Sequence, residues 1–579
     1  MNLRAEAQRW MAADPDPDTR AELQALVEAG DDSALAQRFG ARLAFGTAGI
    51  RGPLGAGPGR MNRLVVRRVT AGLAARLAAE PEVAARGIVV GHDARHKSLQ
   101  FAQDTAGVLA AAGLRVHRIP GLAPTPLVAF AVRHLGAAAG VQITASHNPA
   151  ADNGYKVYWS DGAQISPPLD AEISAAIDAL DPDEAVPVAA ADDGGIADLQ
   201  AGLIDAYRDA ALALVSPAQP GSRAPQRQAR AALRIVYTPL HGVAAPLACQ
   251  LLEQTGFSDV QVVAEQVQPD PDFPTVAFPN PEIPGALDLA MALAGSTGAD
   301  LILANDPDGD RIAAAVPVEG RWQTLTGDDI GCLLAEWLLS HGEQGPDRAV
   351  ATTVVSSQLL RRIAEAHGVG YAETLTGFKW LAKAALQANA AGGRMVLAYE
   401  QALGVMCGTA VLDKDGLSAA LVLADMAATL KAEGRGLPTA LDDLARRHGL
   451  HLTEGRSLRL EGPQADMITT AALLRLRKDA PAQLAGVAVT SVADHAAGTR
   501  TGHDGSVQAL PTPATDLVAL TLADGSRLQA RPSGTEPLLK FYLETVEPVA
   551  PDEPVAAART RAKTRLDAQA DAFLAAAGV

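Results

Sequence analysis

Short apolar runs alternate along the chain with longer stretches of helical spacing, and most apolar runs end abruptly in a polar loop. "RLVVRRVTAGLAARLAAE" sets its apolar residues at helical intervals and predicts a helix, after which "RGIVVGHDARHKS" reads as a strand entering a polar loop. The strand-then-loop form recurs in "AGVQITASHNP", "LRIVYTPLHG", "ADLILANDPDGDR", "RAVATTVVSS" and "RMVLAYEQALG". Strands interleaved with helices predict α/β layering, in which ligands gather at loops beyond the carboxyl ends of strands.

Three breaks divide the pattern. "ADDGGIADL" and "SPAQPGSRAPQRQAR" flank a helix, and the second reads as a linker before a strand near Leu233. "PVEGRWQTLTGDD" is turn-rich near 320, and "RRHGLHLTEGRS" near 450 precedes a tail of more alternating character, "SRLQARPSGTEPLLKFYLETV". Three similar α/β units and a distinct fourth are expected. The closing "PVAAARTRAKTRLDAQADAFLAAA" predicts an amphipathic helix that packs on its own domain or on a partner.

Composition narrows the class. The 579 residues are 48% hydrophobic and 20% charged, an ordinary globular balance. The three cysteines, Cys249, Cys332 and Cys407, are far apart and form no CxxC pair. That argues against a disulfide framework or a cysteine-built zinc site, and for a reducing compartment. The N-terminal segment has no signal-like apolar core, and no apolar run reaches the ~18 residues of a membrane span. A cytoplasmic location is therefore the expectation. A formal net charge of -17 disfavours nucleic acid. An anionic substrate would need its cations gathered in one place.

The sharpest local signal is "NDPDGDR", Asn305 to Arg311, where Asp306, Asp308 and Asp310 alternate behind an apolar strand. Clustered carboxylates repel one another and call for a cation. An EF-hand is excluded, because Arg311 and Pro317 stand where it needs Gly and Glu. Mg²⁺, a hard oxygen-seeking ion, is the expected ligand. "RPSGTEP", Arg531 to Pro537, offers a guanidinium, two hydroxyls and backbone N–H groups in one turn, as a phosphate cradle does. Further cations lie in "FGTAGIRG" (Arg51), "NGYKVY" (Lys156) and "TLTGFKW" (Lys379), and "YEQALG" offers Glu400. "TASHNP" holds Ser146 and His147 at the end of a strand, where local turn chemistry alone would also use such residues.

Taken in order, "FGTAGIRG", "TASHNP" with "NGYK", "DPDGDR", "TGFKW" and "RPSGTEP" resemble the α-D-phosphohexomutase superfamily of phosphoglucomutases and phosphomannomutases. "WMAADPDPDTRAEL", "PDPDFPTVAFPNPE", "YTPLHGV" and "DKDGLSAA" look most like its phosphoglucomutase/phosphopentomutase-like branch. The resemblance implies four domains around a central cleft. The first three share a mixed α/β sandwich core, and the fourth is a smaller, more mobile α+β domain. On this chain they would be 1–205 with a phosphoserine loop, 206–320 with a metal loop, 321–450 with a sugar loop and 451–579 with a phosphate loop.

It also implies roles. Ser146 carries a phosphoryl group, and Asp306, Asp308 and Asp310 hold one Mg²⁺ per chain with a phosphoserine oxygen. Arg51 and Lys156 lie beside the transferred group. Lys156 is the general acid/base candidate, with a pKa expected to be lowered by desolvation and by Arg51. His147, grouped with them, orients the loop. Arg311, Thr376, Gly377, Lys379 and Glu400 contact the substrate, and Arg531, Ser533, Gly534 and Thr535 grip the phosphate that stays in place. The implied reaction interconverts glucose 1-phosphate and glucose 6-phosphate through a bisphosphorylated sugar, which also serves as activator. Sugar phosphates are the expected small-molecule partners, with no nucleic-acid or membrane partner, in a monomer or dimer.

Glu400-Gln401-Ala402 departs from the Glu-x-Ser of many members, so a hydroxyl that could contact the sugar is missing. Mannose and pentose phosphates are alternatives under the same mechanism. A mechanistic rival is a haloacid-dehalogenase-type phosphatase with Asp306 as nucleophile, although Asp310 stands where that class has Thr. A non-enzymatic sugar-phosphate sensor would be expected to have lost Ser146 or an aspartate, and both are present.

Overall fold

The strands Ile88–His92, Ala139–Ile143 and Leu301–Asn305 are buried at every position, as strands covered by helices on both faces are. The computed structural model describes residues 2–47, 49–80, 82–181, 184–200, 202–215, 223–460, 464–533 and 538–579. In the first unit, β1 (Ile50–Pro53), β2 (Ile88–His92), β3 (Val116–Arg118), β4 (Ala139–Ile143), β5 (Asp152–Trp159) and β6 (Ile196–Asp198) form a sheet ordered β1-β5-β4-β2-β3-β6. Its pairings are parallel except those made by β5.

The second sheet is ordered β11-β10-β9-β7-β8, from β7 (Arg234–Thr238), β8 (Asp259–Val262), β9 (Leu301–Asn305), β10 (Ile312–Val318) and β11 (Arg321–Thr324). The third, ordered β13-β12-β14-β15, holds β12 (Arg348–Thr353), β13 (Gly370–Thr374), β14 (Arg394–Glu400) and β15 (Gly404–Cys407). One device repeats in all three units. A parallel strand turns back into an antiparallel neighbour, β4 into β5, β9 into β10 and β14 into β15. The reversal loops are 144–151, 306–311 and 401–403.

The fourth unit is an antiparallel sheet of β16 (Leu450–Arg459), β17 (Gln483–Leu484), β18 (Val487–Asp494), β19 (Thr499–Gly502), β20 (Val507–Ala509), β21 (Val518–Leu522), β22 (Arg527–Pro532) and β23 (Leu538–Glu547). Alternation gives it two faces. Leu528, Ala530, Leu539, Phe541 and Leu543 pack with residues of the helices Ala465–Lys478 and Val555–Ala577, and Phe541 meets Phe573 edge to face at 5.9 Å. The closing helix thus packs on its own domain.

One apolar core runs through the first three units, joining Phe130, Tyr207, Tyr237, Leu301, Leu333 and Leu421. The seam to the fourth unit is different. It has two clusters of five buried apolar residues each, one around Val354 and Leu517 and one around Leu450 and Ala558. The rest is polar. Ser357 Oγ and the Gln358 N–H donate to Glu544 Oε1 at 2.7 and 2.8 Å, Gln529 Nε2 donates to Val354 O at 2.7 Å, and Arg527 reaches Glu373 at 3.2 Å.

Regular elements run through three of the expected breaks. A division at 205 would cut the helix Gly202–Ala213, whose Leu203, Tyr207 and Ala211 belong to the shared core. The break at 320 is the tip of the β10–β11 hairpin, where Glu319 (φ 50°) and Gly320 (φ 78°) make the tight turn, so the second sheet runs on to Thr324. The expected linker before Leu233 contains the helix Arg223–Ala231, held by buried Arg230 on Asp425 at 2.7 Å; residues 216–222 lie outside the described residues. "ADDGGIADL" supplies the edge strand β6.

Candidate active site

Ser146 stands at the first reversal loop in a left-handed conformation, φ 53°, and is 2% exposed. Such a backbone is strained for a residue with a Cβ and needs support from its surroundings. Arg95 supplies it. Its buried guanidinium donates to four carbonyls of the loop region, those of Ser146 and Asn148 at 2.6 Å, Pro149 at 2.8 Å and Asp152 at 3.0 Å. Phe273 of the second unit lies against the same guanidinium, 5.0 Å from the ring centre. Thr144 Oγ1 accepts the Ser146 N–H at 2.9 Å, and Arg51 donates to Asn148 Oδ1 at 3.1 Å. The Ser146 hydroxyl donates to Asp306 Oδ2 at 2.8 Å, which joins the first loop to the second.

Asp306, Asp308 and Asp310 are fully buried, and one oxygen from each falls within a 4.8 Å cluster. Lys156, on β5, donates to Asp308 Oδ2 at 2.6 Å and Asp310 Oδ2 at 2.8 Å. Lys414 of the third unit lies 3.3 Å from Asp310 Oδ2, with its ammonium 5.4 Å from the centre of the Phe378 ring. The Arg311 N–H donates to Asp306 Oδ1 at 3.1 Å. Asp308 Oδ1 and Asp310 Oδ1 are buried without a hydrogen-bond partner. Buried carboxylate oxygens left open beside a third carboxylate fit a hard divalent cation. Two glycines let the loop be clamped this closely: a Cβ on Gly242 would meet the Pro307 backbone at 2.4 Å, and one on Gly416 would meet the Arg311 carbonyl oxygen at 2.2 Å.

The ionisation pattern follows from this packing. Burial and the charges of Asp308 and Asp310 push the Asp306 carboxyl well above its ordinary range. Burial also opposes the charge of Asp308, but Lys156 and Thr125 outweigh it and hold that carboxyl low. The expectation for Lys156 is overturned. Burial does disfavour its charge, yet Asp308 and Asp310 more than compensate and raise its pKa above the usual lysine value. His147 is kept neutral by burial and by Arg311 and Arg51, and its Nδ1 has no hydrogen-bond partner 4.0 Å from Asp306.

The remaining expected residues that the structure describes belong to the second, third and fourth units. The Arg311 backbone bridges to Gly404, and Ile312 donates to the Leu403 carbonyl at 3.1 Å, so the second and third reversal loops touch. Half-buried Glu400 ends β14 and has its pKa raised by burial. Gln401 is drawn away into the third unit, where its Oε1 accepts from Ser356 Oγ at 3.0 Å and Thr353 Oγ1 at 3.3 Å. Gly377 (φ 103°) caps the helix Phe378–Ala390, from which Lys379 reaches Thr47 Oγ1 in the first unit. Arg531 of the fourth unit donates to Thr376 Oγ1 of the third, and the Ser533 N–H donates to Leu538 O at 2.8 Å. Gly534 and Thr535 lie outside the described residues. A cavity of 640 Å³ lies beside the third reversal loop, with Glu282, Gln401, Ala402, Arg456, Lys540 and Tyr542 among its walls.

Sequence reasoning missed Arg95, Thr125 and Lys414. Two of them sat in quoted motifs, "GHDARHKS" and "DKDGLSAA", but as a strand signal and a family signal only. Thr125 carried no signal of its own.

Three α/β units that repeat one strand-reversal device, with an antiparallel fourth docked on the third, define the four-domain architecture of the α-D-phosphohexomutases. Comparison with known proteins agrees. Family models described as phosphoglucomutase/phosphomannomutase alpha/beta/alpha domains I, II and III match residues 42–184, 216–319 and 326–448, and the C-terminal domain model matches 473–562. A Schizosaccharomyces pombe protein named "Probable phosphoribomutase" is 38% identical, with 92% of each chain covered. The phosphoglucomutase of Staphylococcus haemolyticus is 34% identical over 88% of this chain and 91% of its own. The open form of parafusin, a Paramecium phosphoglucomutase, shares the fold with a TM-score of 0.67 at 18% identity, covering 93% of this chain and 97% of that one. The chain belongs to the phosphoglucomutase/phosphomannomutase family. It is an enzyme, a phosphosugar mutase of the isomerase class. Matches to all four domains of one family leave no place for the haloacid-dehalogenase reading. No helix among the described residues is long and apolar enough to cross a membrane.

Proposed function

We propose that the enzyme moves a phosphoryl group between the anomeric and terminal hydroxyls of an aldose phosphate, with glucose 1-phosphate and glucose 6-phosphate as the pair. The observation that carries this reading is Ser146 Oγ, held 2.8 Å from a carboxylate of the buried triad. In the first transfer the bond from the Ser146 oxygen to phosphorus breaks and one from the free sugar hydroxyl forms. One proton leaves that hydroxyl and one reaches the serine oxygen. The resulting bisphosphate turns end for end, and its other phosphate returns to Ser146. The same bisphosphate primes an unphosphorylated chain.

Asp306, Asp308 and Asp310 would hold one Mg²⁺, with a phosphoserine oxygen as a further ligand. When bound, the ion supplies charge neutralisation and Lewis acidity at phosphorus. Arg51 and Lys156 flank the transferred group, and Lys156, entering with its proton on, suits the acid that protonates the departing serine oxygen. His147 orients the loop. Arg311, Thr376, Gly377, Lys379 and Glu400 read the substrate, while Arg531, Ser533, Gly534 and Thr535 keep the stationary phosphate. Besides the metal, the ligands are sugar phosphates, the enzyme works in the cytoplasm, and it is a monomer or dimer without nucleic-acid or membrane partners.

One observation favours a second reading, pentose phosphates. Gln401 is tied into the third unit and Ala402 has no hydroxyl, so this loop offers little beyond Glu400 to grip a hexose. A relative's name, phosphoribomutase, points the same way. The test is kcat/KM for glucose 1-phosphate, mannose 1-phosphate and ribose 1-phosphate with Mg²⁺ and a trace of sugar bisphosphate. A preference for glucose of about tenfold or more upholds the first reading, a size that sugar contacts can supply. A ribose or mannose preference moves the substrate, and no turnover of any of them sinks the mutase.

Lys379 gives a pH test. Burial pushes its ammonium down to about 8. An anionic substrate favours the charged form, so kcat/KM is expected to fall as pH rises through 8. Lys379→Arg, charged throughout this range, should flatten that limb. A fall that persists in Lys379→Arg assigns the titration to another group.

A further inference from the structure

Thr125 opens the helix Thr125–Leu135 of the first unit and is fully buried. Both of its donors go to one residue of the second unit, 183 positions away. Its N–H donates to the Asp308 carbonyl oxygen at 2.8 Å, and its hydroxyl donates to Asp308 Oδ2 at 2.6 Å. Lys156 donates to the same Oδ2, also at 2.6 Å. The other carboxylate oxygen, Oδ1, is buried without a hydrogen-bond partner. A carboxylate with one oxygen fixed twice offers the other to a cation. The hydroxyl bond is short and charge-assisted, and the positive end of an 11-residue helix favours negative charge beside it.

We infer that Thr125 is a positioning residue: it turns Asp308 so that Oδ1 faces the metal, and it holds the carboxylate loop of the second unit in register with the Ser146 loop of the first. The inference rests on the divalent-cation reading of the triad. The loops also meet through the Ser146–Asp306 bond, which must change whenever Ser146 carries phosphate, and through Lys156, whose proton the chemistry uses. The Thr125 pair contains no reacting atom and persists through both transfers. Pro124 lies close to the same loop, its Cβ 3.2 Å from where a Cβ on Gly309 would stand.

The experiment is Mg²⁺ binding by calorimetry to the full chain, to Asp308→Asn, and to Thr125→Val, Thr125→Ala and Thr125→Ser, with circular dichroism to confirm folding. Thr125→Val and Thr125→Ala are expected to weaken Mg²⁺ binding about 10–100-fold, while Thr125→Ser stays within about threefold of the parent. KM for the sugar phosphate at saturating Mg²⁺ should change little. Should Thr125→Val fail to fold, the smaller Thr125→Ala makes the same comparison with Thr125→Ser. Unchanged Mg²⁺ affinity in the folded Val or Ala variant overturns the inference. So does equal loss in Thr125→Ser, which would assign the effect to packing of the methyl group. An unsubstituted chain that binds no Mg²⁺, or an Asp308→Asn that binds it as the parent does, overturns the triad reading and the inference with it, and those two arms identify that failure by themselves.

Discussion

Ser146→Ala is expected to lower kcat by more than roughly 10⁴-fold, as removal of a covalent carrier does. The substitution spares what shapes the loop. The Ser146 N–H still meets Thr144 Oγ1, and the four carbonyls held by Arg95 belong to the backbone. Both residues bear a Cβ, so the left-handed conformation at φ 53° is about equally strained in each. What disappears is the oxygen proposed to accept the phosphoryl group. Sugar-phosphate binding should survive, because its expected contacts lie on other loops. Intact-mass spectrometry after exposure to a sugar bisphosphate supplies the check: one phosphoryl adduct on the parent enzyme and none on the variant. Near-normal turnover by Ser146→Ala would move the carrier elsewhere.

Asp308→Asn should be nearly as damaging. Asp308 Oδ2 takes both the Lys156 ammonium and the Thr125 hydroxyl, and its Oδ1 is one of two buried oxygens left open in the triad. Loss of the charge leaves Lys156 buried with Asp310 as its nearest remaining carboxylate at 2.8 Å. Removing one partner of a buried pair costs about 3–5 kcal/mol, part of which is returned here by less repulsion among the carboxylates. The Mg²⁺ response separates a metal role from a purely structural one. A ligand that binds the folded state alone raises the melting temperature with its concentration. The parent should melt higher as Mg²⁺ is added and lower after chelation, whereas Asp308→Asn should be nearly indifferent to both. Equal Mg²⁺-dependent shifts in the two proteins would show that the triad does not hold the ion.

What the sequence disclosed depended on range. Apolar runs such as "RIVYT" and "LILAN" announce their strands locally, and the loops behind them were legible because polar chemistry interrupts an apolar run at once. The turn-rich break near 320 is a hairpin tip, since Glu-Gly turns a strand as readily as it closes a unit. Arg95 and Thr125 escaped because their partners are 51 to 57 and 183 residues away, and neither lies in a spacing that marks a site. The Lys156 pKa was misjudged for a related reason. Desolvation can be guessed from an apolar neighbourhood, but two carboxylates within 2.8 Å are a product of how two units dock.

The seam between the third and fourth units also has a thermal consequence. Its apolar share is two small clusters, and the rest is hydrogen bonds around Glu544, Arg527 and Gln529. Exposing apolar surface raises heat capacity and exposing polar surface lowers it. Parting along this seam wets both kinds at once, and the two contributions oppose each other. The enthalpy of parting the seam therefore varies little with temperature, while the continuous core of the other three units carries most of the heat-capacity signature of the fold.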